Sequence, residues 1–357
     1  MKTYNNIFLI CVLSVVGISA AIMLWSQPIT GDLTRISAYP ERWFGWNDAQ
    51  QNIPPTINSK KTTEKRHILV VGDSFSEAGH WQAYLGEQYT FSFIHNGKTS
   101  LQRVIERIEK DKPDAIILET AERAFPDMYG NGSVFVTADS NCNLDSTTVE
   151  NKHTHQSITD KISTLPVFPA MNRATFPQQA NDISEGFHIF KLSFKALVKP
   201  GKRKAKTITL TQDTLFSNTR NDQILLLAKD FLLYDKADEQ SVRAIRCGML
   251  KTSNKIAKLN IPHVVLAIPD KTTAYQHYLK NDEIRQRPSL IGRLHTNQIQ
   301  HGIDMLPHIQ EMSKAGNKDI YLPNDTHWGY KGFQLAAVLI DMELASQWPV
   351  KNGAAHD

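Results

Sequence analysis

Short runs of consecutive apolar residues alternate along this chain with stretches whose apolar positions recur every three to four residues. His67 to Val71, Tyr89 to Ile94, Ala115 to Leu118, Val264 to Ile268 and Ile320 to Leu322 are too short for helices and read as buried strands. Between them, Leu101, Val104, Ile105 and Ile108 fall at i, i+3, i+4 and i+7, one face of an amphipathic helix. A second helix carries Val242, Ile245, Met249, Ile256 and Leu259, and a third carries Phe333, Ala336, Ala337 and Ile340. A helix over Phe75 to Leu85 is also predicted. Strands apolar on both faces, alternating with helices, predict an α/β fold in which a parallel sheet is covered on both sides, a three-layer α/β/α domain.

Two regions depart from this rhythm. Residues 125–220 are rich in Asn, Thr, Ser and Pro without a strong period, and read as an irregular elaboration of the same domain that covers part of its cleft. Residues 26–65 read as a polar linker, with Pro54-Pro55, a lysine-rich end, and Trp43, Phe44 and Trp46 placed to pack on the domain or near lipid headgroups. The domain itself is expected over 66–348. No internal repeat is evident.

The first 25 residues form a separate unit. Ile7 to Trp25 carries no charge and follows Lys2 and the amino terminus, a length that just spans a bilayer. A cleavable signal peptide is the competing reading, with Ser19-Ala20-Ala21 as cleavage site, but the apolar run continues past it through Ile22-Met23-Leu24-Trp25, which favours an uncleaved N-terminal transmembrane helix. Either reading sends the rest of the chain out of the cytoplasm, to the periplasm, anchored to the inner membrane or released. Cys142 and Cys247 would then meet an oxidising compartment, where they either pair or remain two unrelated thiols. The formal charge of +4 over 357 residues is too mild to imply nucleic acid, while leaving a polyanionic substrate open.

The chemistry lies in two short motifs. Gly72-Asp73-Ser74-Phe75-Ser76 follows the first strand, and Asn324-Asp325-Thr326-His327-Trp328 follows the last. A serine at a strand-to-helix turn becomes a nucleophile when a histidine takes its proton and a carboxylate orients that histidine. Ser74, His327 and Asp325 supply the three groups. Capping of the following helices is the competing role for Ser74, Ser76 and Asp325. Trp328 could wall the site. In an open parallel sheet, Ser74, Glu119, Asp270 and Asp325, each shortly after a predicted strand, converge on the carboxyl edge. His153 and His155 lack a third ligand in metal spacing and read as a polar loop, so no metal is expected, and no motif calls for a cofactor.

Gly-Asp-Ser early and Asp-x-His late resemble the SGNH hydrolase superfamily, and more closely its periplasmic alginate and exopolysaccharide O-acetyltransferase branch. Four segments carry the resemblance: 72–76, Glu119-Thr120-Ala121-Glu122-Arg123, Pro269-Asp270-Lys271-Thr272-Thr273-Ala274-Tyr275, and Asp325-Thr326-His327-Trp328. The chain order differs from that of the alginate proteins, where Asp-x-His precedes the serine motif. The resemblance implies Ser74 as acyl-accepting nucleophile, His327 as base and Asp325 as its orienter. It also implies an oxyanion-hole glycine, for which Gly97 is placed. The superfamily's Gly-x-Asn-Asp is absent after the third strand, and Arg123 either replaces that donor or forms a structural ion pair with Glu122 or Glu119. Lys271 and Tyr275, four apart, either grip sugar or acyl donor or serve packing and capping. The basic run Lys199–Lys206 reads as a solvated loop, or as a contact for acidic glycan or lipid.

Three functions are expected in descending order. The first is an extracytoplasmic O-acetyltransferase modifying a polysaccharide acceptor, with a membrane-bound O-acyltransferase as delivery partner. The second is a carbohydrate acetylesterase with the same triad. The third is a noncatalytic glycan-binding assembly subunit.

Overall fold

The structure is a computed structural model that describes residues 2–25, 30–37, 39–56, 62, 64–136, 155–173, 191, 198, 203–231, 238–294, 296 and 299–348. Cys142, His153, Lys199 and Lys202, and the side chain of His155, lie outside the described residues. In chain order the strands are β1 (Gln50–Gln51), β2 (Arg66–Gly72), β3 (Tyr89–His95), β4 (Ala115–Ala121), β5 (Ala170–Met171), β6 (Ala205–Thr209), β7 (Gln223–Leu227), β8 (His263–Ile268) and β9 (Gly302–Asp304). The main sheet has the order β3-β2-β4-β8-β9, and every neighbouring pair in it is parallel.

Period-two alternation divides the sheet's side chains between two cores. Ile68, Val70, Ile117, Val264 and Leu266 face the C-terminal Tyr330–Gln347 helix, with Trp81 and Tyr84. Leu69, Val71, Ile116, Leu118 and Val265 face the Leu101–Asp111 and Glu239–Ala257 helices. Leu101–Asp111 is capped as its sequence demands: Ser100 Oγ accepts from the Arg103 amide, and Lys112 closes the helix in the left-handed region. The expected three-layer α/β arrangement with a parallel sheet is therefore present.

The strand order fixes where a site can form. β2 leads to β3 on one side, and the chain then returns to place β4 on the other, so the connections diverge above the carboxyl ends of β2 and β4. That divergence opens a crevice in open α/β sheets. Ser74 follows β2 after one intervening residue, Asp73.

Several expectations change. The predicted Phe75 to Leu85 helix is two short ones, Ser74–Glu77 and His80–Ala83, because Gly79 between them takes a φ of 73°. Ile320 to Leu322 is not a sheet strand. Tyr321 instead pairs with Trp328 in an isolated antiparallel bridge, which closes a tight loop around Asp325 to His327. The fifth strand of the sheet is β9, too short to announce itself by alternation.

The expected linker also behaves differently. In its described part it is a strap folded onto the domain, with Leu33, Phe44, Trp46 and Ile53 buried. Leu33 and Phe44 pack against Ala205 and Leu225 of the β6–β7 hairpin. Burial of these apolar residues holds the segment down despite its polar average. The hairpin belongs partly to the irregular region, whose His155–Thr164 helix packs on the C-terminal helix through Ile158 and the Lys161–Asp341 ion pair.

A helix occupies Lys2–Trp25. Among the described residues no helix is long and apolar enough to cross a membrane, so the fold does not show the expected transmembrane segment; the side chains of residues 20–25 lie outside the described set. Cys11 is free and Cys247 is disulfide-bonded.

Ile117 is fully buried in β4 at the centre of the sheet. Ile117→Ala is expected to destabilise the fold by about 2–5 kcal/mol, read by urea denaturation, through lost burial and the cavity left behind.

Candidate active site

The serine turn is built from beneath. A Cβ at Gly72 would collide with the Glu119 carboxyl, so only glycine lets β2 leave the sheet over that side chain. Glu119, fully buried in β4, accepts from the Asp73 amide through Oε2 at 2.9 Å. Asp73 returns the link: Oδ2 accepts from the Ala121 amide at 3.0 Å, and Oδ1 caps the next helix by accepting from Phe75 N at 3.0 Å. Burial, and then the neighbouring Asp73 charge, push the Glu119 carboxyl well above its ordinary range. The turn is thus tied to β4 through both the amide and the carboxylate of Asp73, and Ser74 stands exposed beside it.

The histidine comes from the closed loop. His327 Nε2 lies 2.8 Å from Ser74 Oγ, and His327 Nδ1 lies 2.7 Å from Asp325 Oδ1. An ionised carboxylate can only accept, so the proton belongs on Nδ1, which leaves Nε2 to accept from the Ser74 hydroxyl. Burial disfavours the imidazolium, yet the Asp325 hydrogen bond and charge, with a contribution from Asp32, raise His327 above its ordinary 6.5. Burial likewise opposes ionisation of Asp325, but the His327 hydrogen bond and charge hold its carboxyl well below the usual range. Phe75 packs against the His327 ring at 4.9 Å between centroids. Ser74, His327 and Asp325, named from sequence, are therefore brought together as one hydrogen-bonded chain.

The remaining predicted residues divide. Lys271 does not face the crevice. It is buried, and its ammonium donates to the carbonyls of Leu322, Pro323 and Asp325 at 2.7, 2.9 and 3.1 Å. Burial pushes it down to about 7, against the pull of Asp325 and Asp32. Lys271 fixes the loop that carries Asp325 and His327. Tyr275 is likewise internal, its hydroxyl accepting from the Tyr321 amide at 3.3 Å. Trp328 is buried beneath the site, against Phe75 at 4.6 Å, Tyr321 and Phe333, and so supports the floor without walling the mouth.

Arg123 pairs with neither Glu122 nor Glu119. Its Nη1 lies 3.4 Å from Asp270 and 3.6 Å from Asp230, and its guanidinium sits 5.9 Å from the Phe75 ring centroid. Glu122 instead accepts from the amides of Asp270 and Ile291, both at 3.0 Å. Gly97 follows β3, which ends in register with β2, but its amide donates to His95 Nδ1 at 3.1 Å. Among the described residues the turn's unengaged amide is that of Ser74, since those of Asp73, Phe75, Ser76 and Glu77 are bonded to Glu119 and Asp73.

One residue was missed altogether. Asp32, in the strap, donates its amide to Asp325 Oδ2 at 3.0 Å, and its carboxylate accepts from the Thr326 amide at 2.8 Å and from the Thr326 hydroxyl. No motif or period marks it. Asp32, Asp325 and His327 are also the one group of described residues that could hold a metal ion, their ligand atoms lying within 4.8 Å of one another. Those atoms are engaged with each other and with Thr326, an arrangement that suits a proton-transfer site.

Lys271→Met leaves three loop carbonyls without their donor. It is expected to destabilise the fold by about 2 kcal/mol or more, read by urea denaturation. It is also expected to slow acylation of Ser74 by an activated acetyl ester about tenfold, by loosening His327.

No curated protein and no solved structure matches the chain. Residues 221–356, the part that holds Asp270, Lys271, Asp325 and His327, match the family model of the SGNH hydrolase-like domain of acetyltransferase AlgX, and this match bears out the resemblance to the SGNH-type alginate O-acetyltransferase branch.

Proposed function

We propose that this protein is an extracytoplasmic O-acetyltransferase that modifies a polysaccharide through an acyl-serine intermediate. The observation that carries the reading is the unbroken chain from Ser74 Oγ through His327 to Asp325 at 2.8 and 2.7 Å. The family match over residues 221–356 supports acetyl transfer as the reaction class. The disulfide at Cys247 supports an oxidising compartment, and the charge-free stretch Ile7 to Trp25 supports an N-terminal inner-membrane anchor.

In the first half-reaction His327 Nε2 takes the Ser74 proton as Oγ attacks the acetyl carbonyl of the donor. Among the described residues the Ser74 amide has no hydrogen-bond partner, and it is suited to the developing oxyanion. The tetrahedral intermediate collapses with loss of the donor's leaving group, which receives the proton from His327. In the second half, His327 takes the proton of a sugar hydroxyl as that oxygen attacks the acetyl-serine. Collapse releases the acetylated sugar and returns the proton to Ser74. Asp325 keeps Nδ1 protonated and stabilises the imidazolium in both halves. Acetyl-CoA is cytoplasmic, so a membrane-bound O-acyltransferase would deliver the acetyl group.

Ser74 is exposed and His327 is about a third exposed, so water can reach the same acyl-serine. This favours carbohydrate acetylesterase activity as the second reading.

The two readings separate when full-length protein and Ser74→Ala are incubated with a chromogenic acetyl ester, with and without oligosaccharide acceptors, and products are followed by mass spectrometry. Acetyl-oligosaccharide that depends on Ser74 is the expected result. Acetate release alone, unchanged by every acceptor, would favour the esterase. No turnover and no acetyl adduct on Ser74 would overturn both, in favour of a noncatalytic glycan-binding subunit. The raised pKa of His327 predicts that kcat/KM falls as pH drops through a value above 6.5.

A further inference from the structure

The loop bearing Asp325 and His327 is outside the sheet, and the strap grips it in addition to Lys271. The amides of Leu33 and Thr34 donate to the Asn324 carbonyl at 3.1 and 3.4 Å. The buried Glu41 carboxylate gathers the amides of Thr30 and Gly31, both at 3.1 Å, and the Asn324 side-chain amide at 2.9 Å. A Cβ at Gly31 would collide with the Asn324 backbone, so the two segments meet at a distance only glycine allows. At the centre of this contact the bonds are reciprocal. The Asp32 amide serves the Asp325 carboxylate, and the Asp32 carboxylate receives Thr326, the residue between Asp325 and His327.

We propose that Asp32 is a positioning residue of the Ser74 site, clasping Thr326 and presenting a second carboxylate to the Nδ1 side of His327. Its Oδ2 lies 4.0 Å from His327 Nδ1, too long for a hydrogen bond but close enough for its charge to favour the imidazolium. The proposal rests on the triad reading above. The Asp32 carboxyl faces Asp325 and His327 from the loop; its charge also reaches Arg123 and Lys271, and the charge of His327 reaches His80. Burial, then the Asp325 charge, push Asp32 up to about 6, while His327 and Thr326 pull the other way. Its charge is therefore present where His327 serves as a neutral base, and is lost in mild acid.

The test is Asp32→Asn in the full chain, beside Ser74→Ala. Asparagine can still accept from the Thr326 amide but carries no charge. With an activated acetyl ester, the acid limb of the kcat/KM profile is expected to move down by about 0.5 pH unit. The plateau is expected to fall about tenfold, with the thermal midpoint little changed. A profile and plateau identical to wild type would overturn the proposal. Should Asp32→Asn not fold, nitrogen-15 NMR of His327 in the wild-type protein decides. A second inflection near pH 6, from Asp32, is expected on the His327 titration, and a single inflection would overturn the proposal. Turnover that survives Ser74→Ala would defeat the triad reading instead; the His327 titration would still report on Asp32.

Discussion

A single contact, 2.8 Å between His327 Nε2 and Ser74 Oγ, joins segments 253 residues apart, and most of the architecture around the crevice serves to keep it. The serine half is a problem already solved by the sheet. The strand order β3-β2-β4 opens a crevice above β2, and Glu119 and Ala121 of β4 bond Asp73 so that the turn cannot swing away. The histidine half is harder, because the Asp325–His327 loop hangs outside the sheet with one bridge, Tyr321 to Trp328, to close it. A hydrogen bond at catalytic distance tolerates little drift, so such a loop needs restraint from several directions.

That restraint comes from three sources. Lys271 gathers three loop carbonyls from inside the protein. Trp328 and Phe75 form an aromatic floor on which the imidazole rests. The strap closes the remaining side through Asp32 and Glu41. Buried titratable groups recur around the site. Lys271, Glu119, Asp270 and Asp32 are all displaced from their ordinary titration range by burial first, a cost the fold bears where it holds polar groups fixed around the Ser74–His327 pair.

The legible parts of this arrangement were those that follow a period or sit in a short motif. Ile68 to Val71 and Ala115 to Leu118 are uninterrupted apolar runs, and they are the two strands flanking the crevice. Gly72-Asp73-Ser74 and Asp325-Thr326-His327 carry local chemistry that names its residues without reference to the rest of the chain. What escaped depends on contacts between distant segments. Asp32 and Glu41 lie in a polar stretch whose buried apolar residues, Leu33, Phe44, Trp46 and Ile53, follow no pattern. Arg123 has two acids beside it in sequence, yet the fold gives it Asp230 and Asp270. Lys271 and Tyr275 stand out by their spacing, but that spacing cannot say whether a side chain points at a ligand or at a loop carbonyl.

The central claim is that Ser74 is a nucleophile activated by His327. Its most direct test is reaction of the folded protein with a serine-directed fluorophosphonate, followed by intact mass and peptide mapping at about pH 8 and about pH 5. The account predicts one adduct, on Ser74, forming readily at the higher pH and much more slowly at the lower, as His327 takes up a proton. No adduct at either pH, or an adduct on another residue with Ser74 untouched, would contradict it.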